Sequence, residues 1–324
     1  MAYDGKILRR ALRRFEEDKR DREERARDRR ESVFLRQPRL REIDAQLRST
    51  MSRILATALR RGTDPRAAVE ALKKQNLGLQ EERALLLAGL GLPADCLEDK
   101  PACPLCQDAG WREGRMCRCL KAYCAREQQK ELSRMLDLGN QSFATFSLEW
   151  YDQAEDPALG VSPRENMDWL DRTCRRSAAS CSPGSGNLLL TGDPGLGKTF
   201  LSAAIAREVS AEGFSVVYDT AAHIFDRFEA RKFGREAGEA VEADVDRVLD
   251  CDLLILDDLG TDLTTPFVQS ALYTIVNSRI TDRRASILST NLKLEDLARR
   301  YTAQTVSRIE GEDQVLPFVG EEIR

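Results

Sequence analysis

The chain has 324 residues, more than one typical domain, and 42% of them are hydrophobic, enough to bury a core. No run approaches the roughly 18 apolar residues of a membrane span, and the N-terminal MAYDGKILRR lacks the apolar centre of a secretory signal, so a cytoplasmic protein of two domains is expected. The net charge of −4 hides an asymmetry: residues 1–60 carry 18 Lys/Arg against 11 Asp/Glu, which suits nucleic acid, an acidic protein surface, or a solvated helix whose charges pair along its own faces.

Residues 4–31 are charge-dense with few apolar anchors (Ile7, Leu8, Leu12, Phe15), the pattern of a helix that projects or joins a coiled hairpin. After Pro38, Leu40, Ile43, Leu47, Met51, Ile54, Leu55 and Leu59 recur at three- and four-residue steps and predict a second helix stopped at Gly62. Asp64 and Pro65 suit the cap and first turn of a third, which carries Val69, Leu72 and Leu86 and ends near Gly89–Pro93. Residues 1–138 are therefore expected to form a helical N-terminal domain.

Nine cysteines in a reducing compartment point to metal binding or inert burial. Cys103-Pro-Leu-Cys106 and Cys117-Arg-Cys119, ten residues apart, can close a tetrahedral Zn²⁺ site within 103–119, and Cys124 is an alternative fourth thiolate. His223, the single histidine, is remote in sequence. Four thiolates leave no open coordination position, so such a zinc would be structural. Residues 120–136 read as a helix broken at Gly139-Asn140, and 139–186 as a linker and the start of the second domain. The aromatics Phe143, Phe146, Trp150 and Tyr151 of that segment are expected to pack against the second domain, and Ser180–Gly186 to form a loop.

Residues 187–324 carry the chemistry. Leu188–Thr191 read as a buried strand, Phe200–Ser210 as a helix, and between them Gly192-Asp193-Pro194-Gly195-Leu196-Gly197-Lys198-Thr199 has the phosphate-binding spacing G-x-x-x-x-G-K-[ST]. Glycines let backbone N–H groups approach a polyphosphate, and the opening helix adds its unpaired N–H groups and positive dipole end. Lys198 would reach the outer phosphates of ATP, and the Thr199 hydroxyl would ligate Mg²⁺. Further strands are predicted at 215–219, 252–257 and 285–290, separated by helices at 221–233 and 265–280, an α/β pattern with a parallel sheet and helices on both faces. Ligands bind such sheets at the carboxyl ends of the strands. There Asp257 would hold Mg²⁺ through water, Asp258 would polarise the attacking water, and Asn291 would orient it near the γ-phosphate.

The ordered set Gly192–Thr199, LLILDDLG at 253–260, Ser289-Thr-Asn-Leu292, Val306-Ser-Arg-Ile309 and the closing Phe318–Arg324 resembles the AAA+ ATPases, in particular replicative helicase loaders of the DnaC/DnaI type and the related IstB transposition helpers. The resemblance runs from about residue 140 to the end, and the CPLC…CRCLK cluster after a charged helical module is similar to the front half of one loader branch. It implies Lys198 and Thr199 as the Walker A pair, Asp257 and Asp258 as the Walker B pair, Asn291 as the γ-phosphate sensor and Arg308 as an arginine finger that reaches a neighbouring subunit's nucleotide. It further implies a core without a helical lid, self-association into a ring or spiral with ATP, single-stranded DNA against the core, and a replicative helicase held by the N-terminal domain. Arg227, Arg231, Lys232 and Arg235 are candidates for the DNA-facing surface. Many AAA+ proteins have Asp-Glu at the Asp257-Asp258 position, and the shorter side chain is expected to slow turnover. A transposition helper that binds DNA and a transposase, and a nucleotide-bound adaptor with negligible hydrolysis, are the alternative functions.

Overall fold

A computed structural model describes residues 3–58, 65–135, 141–155, 160–181, 186–234 and 239–323; the side chains of 51–58, 65–69, 71, 133–135, 239 and 240 are not described. The expected signals at Leu59, Gly62, Asp64, Gly139, Asn140 and Arg235 lie outside the described residues, as do the side chains of Met51, Ile54, Leu55 and Val69. The chain divides into a unit of Phe15–Ala109 and a unit of Met1–Arg14 with Gly110–Arg324.

The smaller unit is helical. Helix α1 (Gly5–Arg36), which belongs to this unit from Phe15 onward, runs further than its apolar anchors suggest, and α2 (Pro38–Ala58) follows after Gln37 alone. Pro38 ends α1 and starts α2, because its missing N–H and fixed φ suit only a first turn. Helix α3 (Pro65–Gly89) packs on α2, with Arg39 donating to Glu82 at 2.8 Å and Thr50 to Asn76 at 3.0 Å. Val33, Phe34, Leu40, Leu87 and Leu97 form the small core, and Leu40 and Ile43 are fully buried, as the three- and four-residue spacing requires.

The larger unit holds a two-stranded ribbon, β1 (Trp111–Arg112) and β2 (Arg115–Met116), then α4 (Arg118–Met135) and α5 (Pro163–Ala179). Strands and helices then alternate: β3 (Asn187–Thr191), α6 (Lys198–Ala211), β4 (Val216–Thr220), α7 (Ala221–Phe233), α8 (Glu239–Asp250), β5 (Leu253–Leu259), α9 (Pro266–Thr281), β6 (Ala285–Thr290), α10 (Leu294–Tyr301), α11 (Ala303–Glu312) and β7 (Asp313–Pro317). The sheet order is β4-β5-β6-β3-β7, and every pairing is parallel. Its strands read as continuous apolar runs because both faces are covered. Leu188, Leu190, Leu253 and Ile255 join one core layer, and Leu189, Leu254 and Leu256 the other. The four expected strands are present, while α5, α8 and β7 carry too mixed a pattern to stand out. Among the described residues no helix is long and apolar enough to cross a membrane.

Two buried ionisable groups hold the sheet margins. Arg279 of α9 has no exposed surface, and its guanidinium donates to the Val248 carbonyl at 2.9 Å, the Leu249 carbonyl at 3.1 Å and the Ser286 hydroxyl at 2.9 Å, tying the end of α8 to the start of β6. Asp313 opens β7 beside Asn187, whose Oδ1 accepts from Ser286 N at 2.9 Å. Burial pushes the Asp313 carboxyl up to about 7; the Asn187 amide opposes this and the Glu312 charge adds to it. A folded-state value above the unfolded one means that the native state holds the proton more tightly, so the stabilisation is present below about pH 4 and lost as pH rises through about 7. Asp313→Asn removes this titration. Its stability relative to the parent, read from denaturant midpoints, is expected to rise by about 1–3 kcal/mol between pH 5 and pH 8; an unchanged difference would refute the assignment.

Candidate nucleotide-binding site

The buried strand β3 delivers the glycine loop to the edge of the sheet, and α6 begins at Lys198. Gly192, Gly195 and Gly197 have φ of +140°, +78° and +99°, a region that side chains rarely adopt. The surrounding chain also demands glycine. A Cβ on Gly192 would lie 2.4 Å from the Phe318 carbonyl oxygen, one on Gly195 2.3 Å from Cγ of Glu322, and one on Gly197 2.7 Å from the Tyr151 hydroxyl. The segment after β7 thus straps the loop: Phe318 N donates to Thr191 O at 2.7 Å, and Ile323 N to Gly195 O at 3.3 Å. Tyr151 donates to Leu196 O at 3.2 Å, and Phe146, Trp150 and Phe200 pack beside it, so the aromatic segment docks as expected.

Gly197 caps α6 without a side chain, which leaves the first N–H groups of the helix open to an anion. Lys198 is buried, and its ammonium donates to Gly192 O at 2.6 Å and Asp193 O at 2.7 Å. Burial draws its pKa below the ordinary lysine range, against the pull of Asp258, Asp257 and Asp193.

The carboxylates end β5. Both oxygens of Asp257 are engaged: Tyr218 of β4 donates to Oδ2 at 2.8 Å, and the Ser289 hydroxyl of β6 donates to Oδ1. That hydroxyl also accepts from Asp258 N at 3.0 Å. Asp258 has φ +55°, and its carboxyl is raised by burial and by the Asp257 charge, with Lys198 opposing. Lys198, Thr199, Asp258 and Asn291 share one cavity of about 510 Å³ with Pro194, Gly195 and Gly197 of the loop. Gly192, Asp193 and Leu196 belong to the loop without lining that cavity, and Asp257 lies buried beneath it. Arg308 stands apart, exposed on α11 with its guanidinium 5.8 Å from the Tyr273 ring centroid.

Gln141, Trp150, Phe200 and Ile323 also line the cavity, and Tyr218 and Ser289 anchor Asp257. Sequence reasoning did not single out Gln141, Tyr218, Ser289 or Ile323 for the site. Ser289 alone left a trace, two positions before Asn291, which follows the last residue of β6. The glycine geometry, the open helix terminus and the clustered carboxylates fit a nucleoside triphosphate with Mg²⁺.

Two other groups matter. The Sγ atoms of Cys103, Cys106, Cys117 and Cys119 lie within 4.8 Å of one another, three of these cysteines being buried, and the set could hold a zinc ion. Cys124 instead points its thiol at the Met116 sulfur, 3.9 Å away. On α7, Arg231 and Lys232 are exposed, whereas Arg227 is held by Asp219. Phe233, 62% exposed, meets Phe267 at 5.4 Å between ring centroids, and the Lys232 ammonium lies 5.5 Å and 5.1 Å from the two rings.

Residues 173–308 match a sequence model of the family described as IstB-like ATP binding protein. The replicative helicase loader DnaC of Escherichia coli (strain K12) is 26% identical over 123 residues, covering 38% of this chain and 49% of DnaC. An ATP-binding protein of insertion sequence IS1162 from Pseudomonas fluorescens is 24% identical over 210 residues, 63% of this chain and 81% of that protein. The crystal structure of the DnaC helicase loader superposes with a TM-score of 0.45 at 22% identity, over 56% of this chain and 97% of that one. The chain thus spans about half the length of DnaC. Within the larger unit, residues 173–308 are similar to the IstB-like ATP binding proteins, and the chain is similar over part of its length to DnaC.

Proposed function

We propose that this protein is an ATP-dependent loader of a replicative DNA helicase onto single-stranded DNA, with ATP binding and hydrolysis as its assembly switch. The similarity to a protein named replicative helicase loader carries the reading. Residues 1–138, with the cysteine cluster as a structural zinc staple, would grip the helicase, and the ATPase core, from about 187 onward, would contact DNA. The IS1162 relative favours a second reading, a transposition helper that binds duplex DNA and a transposase.

In the proposed cycle Lys198 exchanges the Gly192 and Asp193 carbonyls for phosphate oxygens, and the exchange favours its charged form. Thr199 and, through water, Asp257 would hold Mg²⁺, whose charge would help neutralise the phosphates. Asp258 polarises the attacking water and Asn291 orients it. Arg308 would complete the site of a neighbouring copy, where a fixed guanidinium offsets charge that develops on the transferred phosphoryl group. Hydrolysis would then depend on self-association. Exposed Phe233, with half-buried Phe267 and Lys232 beside it, suits a stacking platform for unpaired bases.

Lys198→Ala is expected to abolish ATP binding in equilibrium titration. Arg308→Ala should retain ATP binding yet lower phosphate release by on the order of a thousandfold if it acts as a finger. Phosphate release by Arg308→Ala at the parent rate would refute the finger.

Phe233→Ala should weaken single-stranded DNA binding by roughly tenfold, the worth of one stacked base, while thermal stability is kept. Unchanged anisotropy titrations would remove the platform.

Mixed with the host's replicative helicase, the zinc-loaded protein is expected to form a defined complex by light scattering, with cross-links confined to residues 1–138. The purified protein should carry about one zinc per chain by elemental analysis, and none in Cys103→Ser. No complex with or without ATP, together with duplex binding, would move the assignment to the transposition helper.

A further inference from the structure

The hairpin at the front of the larger unit carries charge that the nucleotide site does not use. Residues 111–126 hold five Lys/Arg and a single acid, Glu113. Glu113 and Gly114 have φ of +51° and +74°, the pair of positive values that a tight two-residue hairpin turn requires. The turn fixes the register of β1 and β2, with Trp111 opposite Met116 and Arg112 opposite Arg115. Both arginines are exposed, and like charges directly across a ribbon repel. The Arg112 guanidinium lies 3.4 Å from the Glu113 carboxylate, but both side chains are mostly in water, so that pair contributes little. Arg115 and Arg118 hold no ion pair among the described residues. A ribbon that keeps such charges uncompensated suits a polyanion, whose phosphates turn the repulsion into attraction.

Helix α4 extends the same charged segment from a fixed base. Its inner row, Leu120, Cys124 and Gln128, recurs at four-residue steps and is buried. Gln128 accepts from Val216 N at 3.1 Å and donates to the Phe214 carbonyl and the Ser210 hydroxyl, each at 2.8 Å, so it ties α4 to the edge strand β4. The exposed row lies on the opposite side of the helix and reads Arg118, Ala122 and Arg126. Arg126 stands 5.6 Å from the Tyr123 ring centroid, a contact that steadies a guanidinium without neutralising it. Trp111 adds an aromatic element. Its side of the ribbon also bears Met116, whose sulfur is 3.9 Å from Cys124 Sγ, yet Trp111 stays 43% exposed.

We infer that the hairpin and the exposed row of α4 bind single-stranded DNA, with phosphates on Arg112, Arg115 and Arg118 and an unpaired base on Trp111. This goes beyond the reading above, which gives DNA to the core from about residue 187 onward. Neighbouring positions of a strand point to opposite faces, so a nucleic acid chain that crosses the edge of the hairpin meets both a cation and a ring. An unpaired strand answers both, because its phosphates are exposed and its bases have free faces. A duplex hides those faces in its stack, and the carboxylates of an acidic protein would leave the indole unmatched.

The test is anisotropy titration of the full-length protein with a labelled oligothymidylate over a series of salt concentrations. Arg112→Ala combined with Arg115→Ala is expected to lower affinity by about tenfold or more. It should also flatten the slope of log affinity against log salt by about 1.4, the share of two single-strand phosphates. Arg112→Lys combined with Arg115→Lys should keep the slope, since it keeps the charge. Trp111→Ala should cost roughly tenfold with the slope unchanged. These side chains are exposed, so all three variants should melt as the parent does and retain the helicase complex. An alanine pair that binds with the parent's affinity and slope would overturn the inference and leave the core as the DNA surface. Loss of the helicase complex with DNA binding unchanged would overturn it as well and assign the ribbon to the helicase. Tighter binding of a duplex than of the single strand, with Trp111→Ala equal to the parent, would also overturn it.

Discussion

The larger unit turns on the hydrogen bonds that fix Asp257. One oxygen receives Tyr218 from β4, the other receives Ser289 from β6, and β5 lies between those strands in the sheet. A single carboxylate therefore clamps the carboxyl ends of three adjacent parallel strands. A buried charge persists only when its oxygens are satisfied, and two hydroxyl donors meet that condition without a counter-ion in direct contact. Because the Ser289 hydroxyl also accepts from Asp258 N, the clamp reaches the neighbouring carboxylate and sets its backbone. Asn291 follows Ser289 by two residues, so the residue proposed to sense the γ-phosphate and the residues proposed to handle metal and water share one rigid frame.

A second constraint comes from behind the loop. Gly192 and Gly195 are left without side chains as much by the strap of Phe318 and Glu322 as by any ligand. The strap brings Ile323 to the cavity wall and lies along β3 through β7, so strand order and cavity shape are coupled. Lys198 waits on loop carbonyls, an arrangement that satisfies its donors while its charge stays close to the carboxylates.

The helical unit rests on a different balance. Its apolar cluster is small, and charged residues dominate its surface, with Arg39 paired to both Glu42 and Glu82. Exposed pairs of this kind contribute little each; the buried faces of α2 and α3 hold the unit, and the charges set what it can meet.

What the sequence alone determined is local. The glycine spacing before Lys198 reports a backbone constraint within eight residues, and apolar runs such as Leu253–Leu256 report strands covered on both faces, so the α/β class, four of the five sheet strands and the loop were legible. Paired carboxylates at the end of such a run and cysteines at ligand spacing were legible for the same reason. Tertiary structure decided the rest, because its partners are distant in sequence and leave no period behind. Tyr218 and Ser289 meet Asp257 only when β4, β5 and β6 align, Gln141 and Ile323 reach one cavity from opposite ends of the unit, and β7 becomes a strand by pairing with β3 despite a mixed pattern. A hydrogen bond across strands depends on register, and register is a property of the assembled sheet.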